Sequence, residues 1–517
     1  MTVFSSATPD IDIPAVTLSE LIEAACERGG AQPALVEAES GRSVSYADLS
    51  RAVHATAQRL RARGVGYGTV VAIVAPNSID WLVAALGVIA AGGTVTGANP
   101  GYVTEELAHQ LDDAHATLAL VSPDCLDAVA AAAAGVRGRC AVELLDAVAA
   151  GSLADPGADA EPGDRGARSA GLDDVAVLPF SSGTTGRSKG VRLTHRNLVA
   201  NISQVAEVAP IDAGDRVLAF LPFFHIMGFS VVALGGLVKG ATLVVLPGFE
   251  PRTFLTAIET HRVRSFFVVP PVANFLVNHP LVDEFDLSSV ETVGCGAAPL
   301  GIATEDALRS RLGCQMAQGY GMTESSGCIS YPHFTTGEST GASGALLPNT
   351  EAVIVDPVSG QRLGAGATGE VWFRGPQVFS GYLDNPEATA ATIDTDGWVH
   401  TGDLGHVDAA GLLHITDRLK ELIKVKGFQV APAELEALLL THPAVLDAAV
   451  IGRPDDRAGE RPVAYVVPAP GQSTDGLVDW VAERVSDHKR IAEVILTDAI
   501  PRNPSGKVLR RLLRAPD

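Results

Sequence analysis

Three apolar runs near the middle of this chain, "DRVLAFLP" (215–222), "ATLVVLP" (241–247) and "SFFVVPP" (265–271), each stop at a proline. Proline cannot donate to a sheet ladder, so each run reads as a short buried strand that ends in a turn. Upstream, similar runs alternate with helical patterns: "VVAIVAP" (70–76) precedes "SIDWLVAALGVIAA", and "ATLALVS" (116–122) follows "TEELAHQLDDA". Strand and helix in alternation predict an α/β fold with mainly parallel sheets, whose strand ends are where ligands collect.

At 517 residues the chain outgrows a single hydrophobic core, so at least two domains are expected. From about residue 343 the texture changes to glycine-punctuated strands such as "EAVIVDP", "TGEVWFRG" and "GLLHITD". They predict a small β-rich subdomain over 343–416, within a large domain of stacked sheets over 1–416. The tail, 417–517, runs through helix "APAELEALLLTHP", strands "VLDAAVIG" and "RPVAYVVP", helix "GLVDWVAERVSDHKR" and a closing "AEVIL". That is long enough for an α+β domain of its own. "GSLADPGADAEPGDRGARSAG" (151–171) has almost no apolar anchor and reads as an exposed loop.

A net charge of -22 disfavours nucleic acid and anionic membrane as partners. The acidic excess lies in the first 416 residues, because 417–517 carry equal numbers of acidic and basic side chains. Six cysteines without CxxC spacing suit a reduced compartment and not a zinc site. "MTVFSSATPDIDIP" lacks the pattern of a secretory signal, and "WLVAALGVIAAGGTV" is short for a bilayer span. The final "RAPD" is neither a lipidation box nor a peroxisomal tripeptide. The expectation is a cytoplasmic protein without integral membrane association, with a homodimer left open.

Residues 179–197, "PFSSGTTGRSKGVRLTHRN", follow a strand-like "DVAVLPF" and precede a helix that Thr194 would cap. Gly183, Gly186 and Gly190 permit a tight turn. Backbone amides and the hydroxyls of Ser181, Ser182, Thr184 and Thr185 suit phosphate oxygens, with Lys189 as a point charge. The Walker A pattern cannot be aligned on it. On these residues alone, a phosphate cradle and a plain surface turn both stand.

"SSGTTGRSKG" resembles the phosphate-loop signature of the adenylate-forming superfamily, which includes acyl-CoA synthetases and 4-coumarate:CoA ligases. Further matches follow in family order: "LPFFHIMG" (221–228), "GCGAAPL" (294–300), "QGYGMTES" (318–325), "TGE" (368–370), "WVHTGDLG" (398–405), "DRLKELIKVKGFQVAPAELE" (417–436) and "PRNPSGKVLRRLL" (501–513). "KGFQVAPAELE", and "GAAPL" paired with "QGYGMTE", look most like the 4-coumarate:CoA ligase branch.

The resemblance implies two half-reactions. A carboxylate attacks the α-phosphate of ATP to give an acyl-adenylate and pyrophosphate, and the thiol of coenzyme A then displaces AMP. It assigns Ser181 to Gly186, Lys189, Gln318, Gly319, Tyr320 and Thr323 to the nucleotide, and Glu324 to Mg²⁺, a hard oxygen ligand for a hard cation. Asp403 would accept from the ribose hydroxyls beside Arg418. Lys507 would neutralise charge developing on carboxylate and phosphate. The C-terminal domain would then rotate about Lys420, withdrawing Lys507 and bringing Lys424, Lys426 and Gly427 to the thioester site. His488, Lys489 and Arg490 would receive coenzyme A phosphates. Taken singly, each has a blander explanation: Lys424 and Lys426 as a solvated strand edge, "TGDLG" as an Asx turn, and 488–490 as a basic helix end.

The acyl pocket would be formed by His225, Ile226, Met227, Phe229, Gly296, Ala297, Ala298, Gln318 and Gly319. His225 would be a gate and orienting group, not a general base. The slot suits a flat aromatic, cinnamate-like acid or a medium-length chain. Plant coumarate ligases typically carry tyrosine where Met227 stands, so methionine shifts weight toward a less polar acid. "GRSKG" lacks the common proline, and "GEVWFRG" lacks the cysteine of the plant box. Neither removes an expected catalytic group. An ATP-dependent acid:CoA ligase is the leading expectation; passage of the acyl group to a carrier protein or an amine is the alternative.

Overall fold

Helix Ile79–Ala91 is apolar apart from Asp80 in its first turn, and eleven of its residues are buried: Ile79, Trp81 to Ile89 and Ala91 all face protein. A helix with no polar face must be covered all round. It touches strands Val70–Val74 and Thr94–Ala98 of one sheet and Pro33–Glu37 of another, so it fills the space between two layers. Ser78 opens it by accepting from the Trp81 amide, and left-handed Gly92 closes it. Trp81 packs on Phe223 and Phe229 at 5.6 and 5.4 Å between ring centres. Truncating so large a buried ring to alanine costs about 3–5 kcal/mol.

The structure is a computed structural model that describes residues 2–138, 140–149, 170–181, 188–334, 339–426, 428–455, 457–503 and 506–513. Ser182, Gly183, Thr184, Thr185, Gly186 and Gly427 lie outside the described residues, as does most of the loop expected over 151–171.

The first sheet has six strands in the order Leu193–Thr194, Val175–Val177, Thr94–Ala98, Val70–Val74, Ala116–Val121, Ala141–Leu144, all parallel but the first pair. The second has seven: Gln315–Gln318, Thr292–Cys295, Ser265–Val268, Arg216–Ala219, Thr242–Val245, Pro33–Glu37 and Ser43–Ser45. It too is parallel except for its last hairpin. The proline-ended runs are three neighbouring strands in its middle. The β-rich subdomain is a five-stranded antiparallel sheet, Phe4–Ser5, Glu351–Val355, Gly369–Arg374, Val399–Val407 and Leu413–Arg418.

The expected α+β tail forms a separate domain with its own core, which includes Ile423, Val430, Leu435, Val450, Val466 and Val481. Strand Leu413–Arg418 still belongs to the large domain's sheet, and Ile423–Val425 to the tail's, so the crossing falls between Arg418 and Ile423. The helix expected through 476–490 stops at Ala482. Ser486 is extended and begins a separate turn, Asp487–Lys489, which removes His488 and its neighbours from the helix. No described helix is long and apolar enough to cross a membrane.

Candidate active site

A cavity of about 620 Å³ opens where the two domains and the β-rich sheet meet. Its polar wall starts on strand Val399–Val407. Asp403, 3% exposed, is the register partner of Arg418 on the next strand, and the Arg418 Nε lies 3.0 Å from its Oδ1. The Tyr320 hydroxyl donates to Asp403 Oδ2 at 2.6 Å. Burial pushes the Asp403 carboxyl upward, against the pull of Arg418, Tyr320 and Lys507. Burial is the largest influence on Arg418 and works against its charge, but Asp403, Tyr320, Glu421 and Glu324 together raise the guanidinium above its ordinary value.

A second cluster centres on Glu324, in the single turn Thr323–Ser325. Its Oε1 accepts from the Ser181 hydroxyl at 3.1 Å and from the Tyr382 hydroxyl at 2.7 Å. No described residue hydrogen-bonds Oε2. Lys189 lies over the Tyr382 ring, 5.0 Å from its centre. Among the described residues no cluster of three or more His, Cys, Asp or Glu side chains forms a metal cage. A single carboxylate with one oxygen uncommitted among the described residues fits an ion of the Mg²⁺ kind, which keeps several waters and takes its other oxygens from substrate phosphates.

Lys507 reaches the same cavity from the C-terminal domain. Its amide donates to Asn503 Oδ1 at 2.9 Å, and Asn503 N returns a bond to Lys507 O, closing a tight loop. Arg502 braces that loop by donating to Gly506 O at 2.9 Å while paired with Asp447 at 2.8 Å. Burial, with Arg418 nearby, draws the Lys507 pKa down to about 8, while Glu421 and Asp403 oppose the fall.

The rest of the lining is apolar, including Ile226, Met227, Val231, Phe267, Val269 and Cys295. Met227 begins a π-helical stretch, Met227–Leu234, a form common at functional sites. Gly296 makes room for it: a Cβ there would lie 2.9 Å from the Met227 Cε. Phe267 lies over Gly294 on the neighbouring strand, in the space a side chain would need. His225 also lines the cavity, and burial draws its pKa down to about 4, so its imidazole is neutral at ordinary pH.

Two separated polar clusters, a lysine delivered by a second domain and an apolar slot thus share one cavity. The AMP-binding enzyme family matches residues 22–383, and the AMP-binding enzyme C-terminal domain matches residues 434–507. The chain belongs to the AMP-binding enzymes. This AMP-binding enzyme is 40% identical to 4-coumarate-CoA ligase 3 of Oryza sativa subsp. japonica, over 99% of this chain and 94% of that one. It is also 40% identical to peroxisomal OPC-8:0-CoA ligase 1 of Arabidopsis thaliana, over 96% and 92%. Among solved structures, ATP-bound MatB from Rhodopseudomonas palustris superposes with a TM-score of 0.86 at 31% identity, covering 96% of this chain and 98% of that one. MenE from Bacillus subtilis, in complex with the acyl-adenylate OSB-AMP, gives 0.82 at 27%, covering 100% and 99%.

Of the expected positions, this AMP-binding enzyme brings Ser181, Lys189, His225, Ile226, Met227, Gly296, Ala297, Gly319, Tyr320, Thr323, Glu324, Asp403, Arg418 and Lys507 to one cavity. Three other expected positions do not line that cavity. Phe229 is buried against Trp81. Gln318 commits its amide to both backbone groups of Leu300 and to Glu305, which spends both N–H donors and turns the side chain away from the cavity lining. Ala297, at φ 70, turns the chain and leaves Ala298 outside the lining. Among the described residues expected at coenzyme A, none lines the cavity. Lys424 and Lys426 are exposed, Lys489 pairs with Glu434 at 2.7 Å, Arg490 pairs with Asp487 at 2.9 Å, and His488 stacks on Phe428. Phe267, inside the "SFFVVPP" run, also lines the cavity, as do Tyr382 and Tyr331, which reach it through tertiary packing and sit in no local pattern.

Proposed function

We propose that this chain is an ATP-dependent acid:CoA ligase that makes acyl-CoA through an acyl-adenylate, on an aromatic or medium-chain acid. The observation that carries this reading is the convergence of Lys507, the Asp403–Arg418–Tyr320 cluster, Glu324 and an apolar slot on one cavity. The names of the relatives support the ligase chemistry, and the free cysteines suit a cytoplasmic enzyme.

In this reading, Asp403 accepts from the ribose hydroxyls and Tyr320 flanks the base. Ser181, Lys189 and Thr323 position the phosphates. Glu324 would hold Mg²⁺, which supplies charge neutralisation at the phosphate oxygens. His225, being neutral, orients the acid's carboxylate by donating its one ring N–H to a carboxylate oxygen. Lys507 stabilises the negative charge that builds up as the carboxylate oxygen bonds the α-phosphorus and pyrophosphate departs. Lys424 and Lys426, exposed and outside the cavity, serve the thioester step after rotation of the C-terminal domain.

A panel of carboxylic acids, assayed for pyrophosphate release with and without coenzyme A, tests the reading. Acid-dependent release accompanied by acyl-CoA is expected. Release with no acyl-CoA from any activated acid sinks the coenzyme A step and leaves a carrier protein or amine as acceptor.

A further inference from the structure

Three tyrosines are buried: Tyr46, Tyr331 and Tyr382. The Tyr46 hydroxyl reaches the Ala241 carbonyl at 2.6 Å, and that of Tyr382 donates to Glu324 at 2.7 Å. The Tyr331 hydroxyl has no hydrogen-bond partner among the described residues, although the residue is only 4% exposed. Its polar neighbours in the chain are already engaged, Ser330 Oγ with Ser343 O and Cys328 Sγ with Ser330 O. Tyr331 is part of the cavity lining, where water can reach the hydroxyl, so an acid that fills the slot without a hydrogen-bonding atom of its own would displace that water and leave the phenol unpaired at a cost of roughly 1–3 kcal/mol.

Tyr331 lines the cavity in its apolar part. Its ring meets Phe267 edge to face, with centres 5.9 Å apart at 74°. Phe267, Val269 and Val231 around the slot offer no hydrogen bond. Met227 offers none worth the name either. The missing partner therefore arrives with the acid. It is uncharged, because these apolar walls provide no counter-ion for a second ionised group. Burial keeps Tyr331 itself a neutral phenol, able to give or accept one hydrogen bond.

Resting on the ligase reading, we propose that Tyr331 is a specificity-determining residue that selects acids whose apolar body carries an uncharged oxygen, a hydroxyl or a carbonyl, over all-hydrocarbon acids of the same size. The earlier inclination toward a less polar acid, drawn from Met227, is thereby reversed: the polar contact is made from another wall.

Matched acids test this: ring-hydroxylated against plain cinnamates, and hydroxy- or oxo-substituted against plain medium-chain acids. Each pair is compared by kcat/KM for pyrophosphate release in the wild type and in Tyr331→Phe, which keeps the packing on Phe267 and removes one oxygen. The wild type is expected to favour the oxygenated member of at least one pair by about tenfold, and the variant to bring that ratio within about twofold of unity. An unchanged ratio in Tyr331→Phe, or no preference in the wild type, overturns the proposal and leaves the ligase reading intact. Tyr331→Met, read in the same way, replaces the phenylalanine variant if that one does not fold. If no acid in the panel is turned over, binding of matched non-hydrolysable acyl-sulfamoyl adenosines gives the same ratio. Failure of the wild type to bind any of these overturns the ligase reading, and this inference falls with it.

Discussion

Gly506 of the C-terminal domain rests against Val269 of the large domain so closely that a Cβ on Gly506 would lie 3.1 Å from the Val269 Cβ. Gly506 is also left-handed, at φ 81. Gly506→Ala therefore meets both a steric and a backbone penalty in the one arrangement that brings Lys507 to the cavity. Pyrophosphate release should fall by about tenfold or more, while acyl-CoA formation from supplied acyl-adenylate persists. Equal loss in both assays would show that the loop's position is not specific to the first half-reaction.

Lys507→Ala should slow adenylation by about 100-fold and spare thioester formation from supplied adenylate. The wild-type pH profile of adenylation carries its own signature. A lysine whose pKa is lowered to about 8 loses its charge as pH rises through that value, so the rate should decline above it and stay level below. Lys507→Arg, which does not titrate there, should be slower but without that alkaline limb.

Asp403→Ala removes the acceptor shared by Tyr320 and Arg418. We expect KM for ATP to rise by about 100-fold, and discrimination between ATP and 2′-deoxy-ATP to disappear. Retained discrimination would place ribose recognition elsewhere.

Lys424→Ala should show the opposite bias from Lys507→Ala, with pyrophosphate release nearly intact and acyl-CoA formation slowed by about tenfold. Quenched-flow comparison of the two steps measures it.

Gly296→Ala adds a methyl group within 2.9 Å of the Met227 Cε, the far end of a flexible side chain. The bulkiest acids accepted should lose about tenfold in kcat/KM, and smaller ones little. Adding Met227→Ala should restore the loss, because it empties the space the new methyl needs.

Much of this was legible in the chain. Alternating strand and helix runs give the two parallel sheets, and glycine-punctuated strands after residue 343 give the antiparallel one. Asp403 and Arg418 sit in quotable motifs and meet as register partners. The expected positions that do not line the cavity share a cause. Phe229 and Gln318 lie within motifs whose neighbours face the cavity, but side-chain direction alternates or is captured by local bonds, so adjacency in sequence did not mean adjacency to substrate. Tyr382 and Tyr331 were invisible for the converse reason: they contact the site from segments that carry no pattern, through packing that only the assembled domain defines.

The pairing of Phe267 with Gly294 has a bearing on how such a chamber changes its diet. Phe267 occupies ground vacated by an absent side chain on the adjacent strand. Any larger residue at 294 would shove the ring inward and shorten the slot. The reach of the chamber is thus dictated by a residue outside the cavity lining, and a screen restricted to lining positions would overlook the simplest way to retune it.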